Sequence, residues 1–358
     1  MRCRAVLAGL FAIACLSAHA FAGQRNMVVI KTIAHQEGDA RLDYASIDGV
    51  SRRLYVARGF GVTAVELDTE TVTRQLVAGQ HVHAVIPLPG GRALSTNGDT
   101  NTATLFDGRS GKVLAQIETG RDPDAAAFDP ISGLVFVMNA KDADATLVDP
   151  VGGKAVGRLS FGGKPQFAVV DGHGRLFVNI EDQNKTAVID TVGRKVIGSY
   201  DLPGCEGPSA LGIDSESGVL VAACANRTAV AIRAADGKVI AAHLAIDRKP
   251  DAVIFDAANK SFYIPCGRDG TLTVISESNG GALSVRASVS TAVGAHTGAL
   301  DSKTGRLYLP TADYHLTLSG IAPADGTFRI LVLGFKPRMH PLRKCRRSLS
   351  GLVTGNPW

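Results

Sequence analysis

A chain of 358 residues is long enough for one large β domain or two domains of ordinary size. Hydrophobic residues make up 45% of it and charged residues 20%, which excludes a disordered chain, and 40 glycines indicate many turns. Eight of the 38 basic residues lie in two acid-free terminal segments. The rest of the chain has 30 basic and 33 acidic residues, and this slightly negative balance argues against a general nucleic-acid-binding surface.

The first 20 residues have the pattern of a secretory signal peptide. A positive start precedes an apolar run at residues 5–16, which is too short to span a membrane. Ala18 and Ala20 then supply the small residues of a cleavage site, so we expect cleavage after Ala20 and a periplasmic or secreted protein. A lipoprotein anchored through Cys15 is the alternative, although the preceding residues match a lipobox poorly.

The rest of the chain repeats one unit seven times. Each unit begins its first short strand with a residue that we call the opener, and successive openers lie 40 to 45 residues apart. The openers are Asp43, His83, Asp124, Gln166, Ser209, Asp251 and His296. Six units place an Asp five residues after the opener, where its side chain can cap a tight turn. Four short strands at this period predict an all-β fold, a seven-bladed β-propeller with four-stranded blades.

The seventh unit lacks a fourth strand. Its third strand is predicted at residues 327–333, and the N-terminal segment 27–33 offers a spare strand that could join it. This pairing would close the ring and remove the open sheet edges. We therefore expect a single propeller domain over residues 26–334, followed by a basic, flexible C-terminal tail at 335–358.

Two cysteines are placed to form a disulfide. Cys205 precedes the first strand of the fifth unit and Cys224 ends its second strand, so antiparallel pairing brings the two close together. Cys266 stands at the equivalent of Cys224 one unit later and is expected to be a free thiol at the channel mouth. A metal site built from these three cysteines is the alternative, and the pairing of Cys266 and of Cys345 stays open.

In a propeller, ligands usually meet one mouth of the central channel, which is formed by the openers and by the residues that follow each second strand. The predicted ligand-binding residues at this mouth are Asp43, Arg58, His83, Asn97, Asp124, Asn139, Gln166, Glu181, Asp251 and His296. The alternative is that these groups only solvate the channel and cap strand ends. His81, His83 and His296 form a candidate metal site, with zinc, copper or calcium as the candidate ions.

Several stretches are similar to a known group of repeat proteins. Residues 174–179 (GRLFVN) and 185–191 (KTAVIDT) are strand units, and residues 42–48 (LDYASID) open the first blade. Over about residues 27–334 the chain resembles the exported bacterial members of the YVTN-repeat or YncE-like β-propellers. The resemblance implies diverse binding roles, including DNA binding for YncE itself. Similar seven-bladed rings serve lactonases and quinoprotein dehydrogenases.

The sequence contains no serine elbow, P-loop or HExxH motif. The first hypothesis is therefore a non-enzymatic module that binds a small molecule or a periplasmic protein through the upper mouth of its channel. We expect a monomer whose mature chain has no transmembrane segment. A lactonase-like or quinoprotein-like enzyme that uses His, Asp and Arg at the mouth is the alternative. Single-stranded DNA binding is a further alternative, which the acidic core disfavours.

Overall fold

The computed structural model describes residues 27–34, 38–277, 282–317 and 320–335. The predicted signal peptide, Cys15, Cys345 and the tail beyond residue 335 lie outside the described residues. Within them the chain is almost entirely β, with one short 3-10 turn at Glu181–Gln183. These same ranges contain no helix that is both long and apolar enough to cross a bilayer.

The strands follow the repeat. The chain begins with β1 (Met27–Ala34). Blade 1 contains β2 (Leu42–Asp48), β3 (Arg53–Arg58), β4 (Gly61–Glu66) and β5 (Val72–Ala78). Blade 2 contains β6 (Val82–Leu88), β7 (Arg92–Asn97), β8 (Thr102–Asp107) and β9 (Val113–Glu118). Blade 3 contains β10 (Pro123–Asp129), β11 (Leu134–Asn139), β12 (Asp144–Asp149) and β13 (Lys154–Ser160).

The second half of the ring continues the pattern. Blade 4 contains β14 (Pro165–Val170), β15 (Arg175–Ile180), β16 (Lys185–Asp190) and β17 (Lys195–Asp201). Blade 5 contains β18 (Pro208–Asp214), β19 (Val219–Cys224), β20 (Thr228–Arg233) and β21 (Val239–Ala245). Blade 6 contains β22 (Ile254–Asp256), β23 (Ser261–Cys266), β24 (Thr271–Glu277) and β25 (Leu283–Ser290). Blade 7 contains β26 (Ala299–Asp301) and β27 (Arg306–Thr311), a hairpin of β28 (Tyr314–Thr317) and β29 (Gly320–Pro323), and then β30 (Arg329–Phe335).

The ring closes through its two chain ends. Strand β1 pairs antiparallel with β30, with Met27 opposite Phe335 and Ala34 opposite Arg329, and blade 7 thereby gains its fourth strand. The predicted seven-bladed propeller and its closing strand are confirmed. The third strand of blade 7 starts two residues later than predicted because Thr327 is used in the preceding turn. Its hydroxyl donates to the carbonyl of Ala324 and accepts from the amide of Asp313.

The core lies between the blades. Every residue of the second strands β3, β11 and β23 is buried, whereas the outer strand β17 is almost wholly exposed. The turns between the first two strands are capped as expected. The Asp129 carboxylate, for example, accepts from the amide of Ser132 at 2.7 Å. The residues that recur from unit to unit therefore serve in core packing and in turns. The openers take part in neither role.

The disulfide between Cys205 and Cys224 is confirmed, with the two Cα atoms 5.6 Å apart. With both sulfurs in that bond, the three-cysteine metal site is excluded. Cys266 is a free thiol, but the expectation that it lies open at the mouth is wrong. It is fully buried because it packs inside blade 6, where burial raises its pKa to about 11.

Removal of this disulfide is expected to destabilise the fold. Cys205→Ser should lower the free energy of unfolding by about 3 kcal/mol, because the unfolded chain regains the entropy of a loop of roughly 20 residues. Chemical denaturation monitored by near-UV circular dichroism measures the loss. A reducing agent should cause the same loss in the wild-type protein and none in the variant. Equal sensitivity of both proteins to the reducing agent would contradict the prediction.

Candidate functional site

The openers are directed by irregularities in the sheets. In blades 1 to 5 the pairing of the first two strands shifts at the opener, for instance between Leu42 and Ala45 and between Val82 and Val85. Such a bulge removes a residue from the ladder and re-aims its side chain. In blades 6 and 7 the first strand starts only at Ile254 and Ala299, so the opener precedes it. Each opener is thus released from regular pairing.

Five openers meet in two groups that share one carboxylate. Asp43, His83 and Asp124 place ligand atoms within 4.8 Å of one another, and so do Asp43, Asp251 and His296. We call these five residues the mouth cluster. They come from blades 1, 2, 3, 6 and 7. Each keeps between 13% and 24% of its side chain exposed, so the cluster is set into the protein but stays open to solvent.

The two imidazoles of the mouth cluster are oriented by hydrogen bonds. His83 Nδ1 lies 2.7 Å from Asp43 Oδ2, while its Nε2 is buried and has no hydrogen-bond partner among the described residues. His296 Nδ1 lies 2.6 Å from the carbonyl oxygen of Gly294, an acceptor, so this nitrogen carries the proton. The lone pair of His296 Nε2 therefore faces Asp251 Oδ2 at 3.8 Å. Metal-binding histidines are commonly fixed in this way through their second nitrogen.

Buried threonines tie neighbouring openers together. The Thr297 hydroxyl donates to the carbonyl of Asp43 at 2.8 Å, which links blade 7 to blade 1. The Thr96 hydroxyl accepts from the amide of Ala84 and donates to the carbonyl of Asp124, which links blade 2 to blade 3. Both threonines are fully buried. The backbone beneath the mouth cluster is thus held by packed elements rather than by free loops, as a preorganised site requires.

Three carboxylates crowd together beside two imidazoles in the mouth cluster. Burial and the charge of Asp43 raise the pKa of both Asp124 and Asp251. Burial alone would lower the pKa of His83, but its hydrogen bond to Asp43 and the surrounding carboxylates raise it. Burial lowers the pKa of His296, which keeps that imidazole neutral. Carboxylates that retain protons above their usual range release them when a cation supplies positive charge.

The donor set fits a divalent metal ion. Two imidazole nitrogens and three carboxylates suit zinc and other transition metals, whereas calcium prefers six to eight oxygen ligands. Asp43 is the residue that both triads share, so it could bridge them or serve either one.

The arrangement of blades is found in solved structures. A chain of the mitotic checkpoint complex crystal structure has a TM-score of 0.71 at 13% identity, over 93% of this chain and 99% of that chain. A chain of Kuenenia stuttgartiensis hydrazine synthase has a TM-score of 0.66 at 14% identity, over 81% and 98%. The crystal structure of RRP9 WD40 repeats gives 0.68 at 10%, over 86% and 97%. These likenesses show a shared propeller fold.

No protein-family profile and no curated protein matches the chain in sequence. At identities of 10% to 14%, the solved structures say nothing about which ligand this chain binds.

Of the ten residues predicted at the mouth, the structure brings five into the mouth cluster. Gln166 and Glu181 stand in blade 4, where the Gln166 amide donates to the Glu181 carboxylate at 3.0 Å. Glu181 also pairs with Lys164 at 2.5 Å. The charge of Glu181 reaches Asp251, whose pKa is raised first by burial, then by Asp43 and further by Glu181. These two residues therefore border the mouth cluster without joining either triad.

The other three predicted mouth residues, and His81 of the predicted metal site, are placed differently. Asn97 and Asn139 are buried within their blades, where each amide donates to a threonine hydroxyl of the third strand. Arg58 is fully buried and all three of its guanidinium nitrogens bond to protein oxygens. His81 is exposed beside the mouth, with Nδ1 3.3 Å from Asp99, and lies in neither triad.

The sequence reasoning missed Asp122 and Lys249, which stand two residues before the openers of blades 3 and 6. Asp122 Oδ1 lies 3.7 Å from His83 Nε2. The positive charge of Lys249 opposes the rise in the pKa of Asp251 that burial and Asp43 cause. Both have a positive φ, as does Gly207 at the equivalent position of blade 5. Gly207 shows that this position, two residues before an opener, favours glycine. A polar side chain at the same position was therefore the signal that the sequence offered.

Asp251 should make the metal-free protein less stable as the pH rises. Its folded pKa is raised above the unfolded value of about 4. The stability that it contributes is therefore complete below pH 4 and is lost as the pH rises towards the folded value. Asp251→Asn removes this loss, so the variant should gain about 2 kcal/mol over the wild type between pH 5 and pH 8. Thermal unfolding with a chelator present measures it.

Asp201→Asn is the matched control, because Asp201 is an exposed carboxylate on the outer strand β17. The difference between Asp201→Asn and the wild type should be independent of pH. If Asp251→Asn is less stable than the wild type at pH 8, the Asp251 carboxylate stabilises the metal-free fold and the prediction is wrong.

Proposed function

We propose that this chain is an exported, YncE-like propeller that binds a divalent transition-metal ion, zinc as the test case, at its mouth cluster. The observation that carries the proposal is the meeting of five openers in two triads, each with ligand atoms within 4.8 Å of one another around the shared Asp43. The conflict of charge among the carboxylates supports it, because a cation relieves that conflict. The orientation of both imidazoles is a further support.

Export and family membership are parts of the same proposal. The disulfide between Cys205 and Cys224 supports an oxidising compartment such as the periplasm, because disulfides are rare in reducing ones. The seven-bladed ring supports the YncE-like assignment at the level of fold. The bound cation would form the floor of a binding site for a small molecule or a periplasmic protein at the upper mouth.

Metal analysis of the purified mature protein tests the proposal. The protein is stripped with a chelator, incubated with zinc, desalted and measured by atomic emission spectroscopy and calorimetry. We expect retained zinc in stoichiometric amount, with calcium failing to displace it. Absence of retained zinc in a folded sample would overturn the cation site and leave only an uncharged or cationic organic ligand for the mouth.

A metal-dependent hydrolase of the lactonase type is the second candidate. The favouring observation is the 2.7 Å contact between His83 Nδ1 and Asp43 Oδ2, which is the pairing used in general acid–base catalysis. Proton release from γ-butyrolactone by the zinc-loaded protein tests it. A rate equal to that of a chelator-treated sample would leave cation-dependent binding as the function.

A nucleic-acid ligand is not favoured at this mouth. The mouth cluster presents three carboxylates, and Asp122 and Glu181 stand beside them. Nucleic-acid backbones bind to basic grooves, and their phosphates are repelled by such a surface.

A further inference from the structure

A pocket adjoins the mouth cluster between blades 6 and 7. Its volume is about 410 Å³, within the usual range for small-molecule sites. Its lining includes Lys249, Gly267, Arg268, Gly294, His296 and Tyr314. His296 also belongs to the triad with Asp43 and Asp251. A molecule in the pocket would therefore lie next to a cation held by that triad.

Two glycines shape the pocket walls. A Cβ atom on Gly267 would lie 2.6 Å from the His296 Cβ, so only glycine lets this imidazole sit against the backbone of blade 6. A Cβ atom on Gly294, which has φ +87°, would lie 1.9 Å from the Tyr314 ring. The pocket lining thus combines an imidazole with a phenol ring.

The polar part of the pocket is positively charged. Lys249 and Arg268 are both exposed. The neighbouring Arg248 pairs with Asp269 at 2.5 Å, whereas neither Lys249 nor Arg268 forms an ion pair within the part of the chain that the structure describes. Lys249 also has φ +59°, a conformation that favours glycine. Lys249 and Arg268 therefore supply positive charge, not tied up in an ion pair among the described residues, to which an anion can bind.

We propose that this pocket binds a small organic carboxylate. Its acid group would lie between Lys249, Arg268 and the metal ion, and its apolar part would pack against Tyr314. The proposal rests on the proposed function, because without the metal ion the carboxylates of the mouth cluster would repel the ligand. A carboxylate of the size of benzoate is small enough for a pocket of about 410 Å³, and its ring would pack against Tyr314.

Calorimetric titration of the zinc-loaded protein with benzoate tests the proposal. Benzamide, which has the same shape and no charge, is the control ligand. We expect benzoate to bind and benzamide not to bind. Lys249→Gln and Arg268→Gln should each weaken benzoate binding about tenfold, since each removes one charged partner. Arg286→Gln on the exposed outer strand β25 removes the same charge away from the pocket and should change nothing.

Zinc binding is measured separately on every variant, so that the two proposals fail in different ways. Zinc bound without benzoate binding would overturn the pocket and leave the metal site intact. Benzoate binding that benzamide matches, or that both glutamine variants retain, would also overturn it. Failure of the wild-type protein to bind zinc would overturn the proposed function and this inference with it.

Discussion

Replacing Asp43 by asparagine is expected to weaken zinc binding by at least about 100-fold. Loss of an outer-shell partner of a metal site costs 10- to 100-fold in affinity, and Asp43 belongs to both triads as a candidate direct ligand. The variant also frees His83 Nδ1 from its carboxylate partner 2.7 Å away. Both triads should therefore fail together. Calorimetric zinc titration at a fixed pH measures the change.

The matched control is again Asp201→Asn, which should keep wild-type zinc affinity. His81→Ala discriminates the mouth cluster from the set of three histidines that the sequence suggested. His81 lies in neither triad, so this variant should change zinc affinity less than threefold, whereas His296→Ala should approach the effect of Asp43→Asn. A large loss with His81→Ala would place the metal at the three histidines instead.

Replacing Arg58 by alanine is expected to lower the free energy of unfolding by about 4 kcal/mol. Arg58 is fully buried, and its guanidinium lies 3.6 Å from the centre of the Phe328 ring. It donates to the carbonyl oxygens of Asp39 and Arg41 and to the Thr63 hydroxyl, and burial lowers its pKa to about 10. Truncation leaves those acceptors unpaired and opens a cavity next to blade 7. Urea denaturation measures the loss.

Arg58→Lys should recover little of that stability, because an ammonium group lacks the planar fork that stacks and bonds in several directions. Arg41→Ala is the control, since Arg41 is exposed and, among the described residues, forms an ion pair only with the nearby Asp39. It should cost less than about 0.5 kcal/mol. Zinc affinity should be unchanged in the folded fraction of Arg58→Ala. A loss of zinc binding without a loss of stability would show that Arg58 belongs to the binding site, as the sequence predicted.

The fold could be predicted because its signals are local and repeated. The Asp five residues after the opener caps its turn within a few residues, as Asp129 does for Ser132. Counting the strands of each unit also shows that blade 7 lacks a fourth strand and that the N-terminus has a spare one, and the two chain ends do pair. Cys205 and Cys224 lie within one blade, so their contact follows from one antiparallel pairing.

The candidate site could be predicted only in part. The openers were recognised as a set, because each begins the first strand of its unit. Arg58, Asn97 and Asn139 were assigned to the same mouth by their position after the second strand. Their side chains instead bond within or between packed strands. Whether a polar side chain at a strand end faces solvent or a neighbouring strand depends on the twist of the blade, which a single unit does not reveal.

By itself the sequence determined the number of blades, the closing strand, the disulfide and the set of openers. Those features depend on the spacing of residues along the chain and on pairing within a blade. Only the tertiary structure decided that Asp43 is shared by two triads with openers up to 253 residues away, the separation between Asp43 and His296. Distances between blades depend on how the whole ring closes. The physical reason is that the repeat fixes each blade, whereas the channel is made by contacts that no single repeat contains.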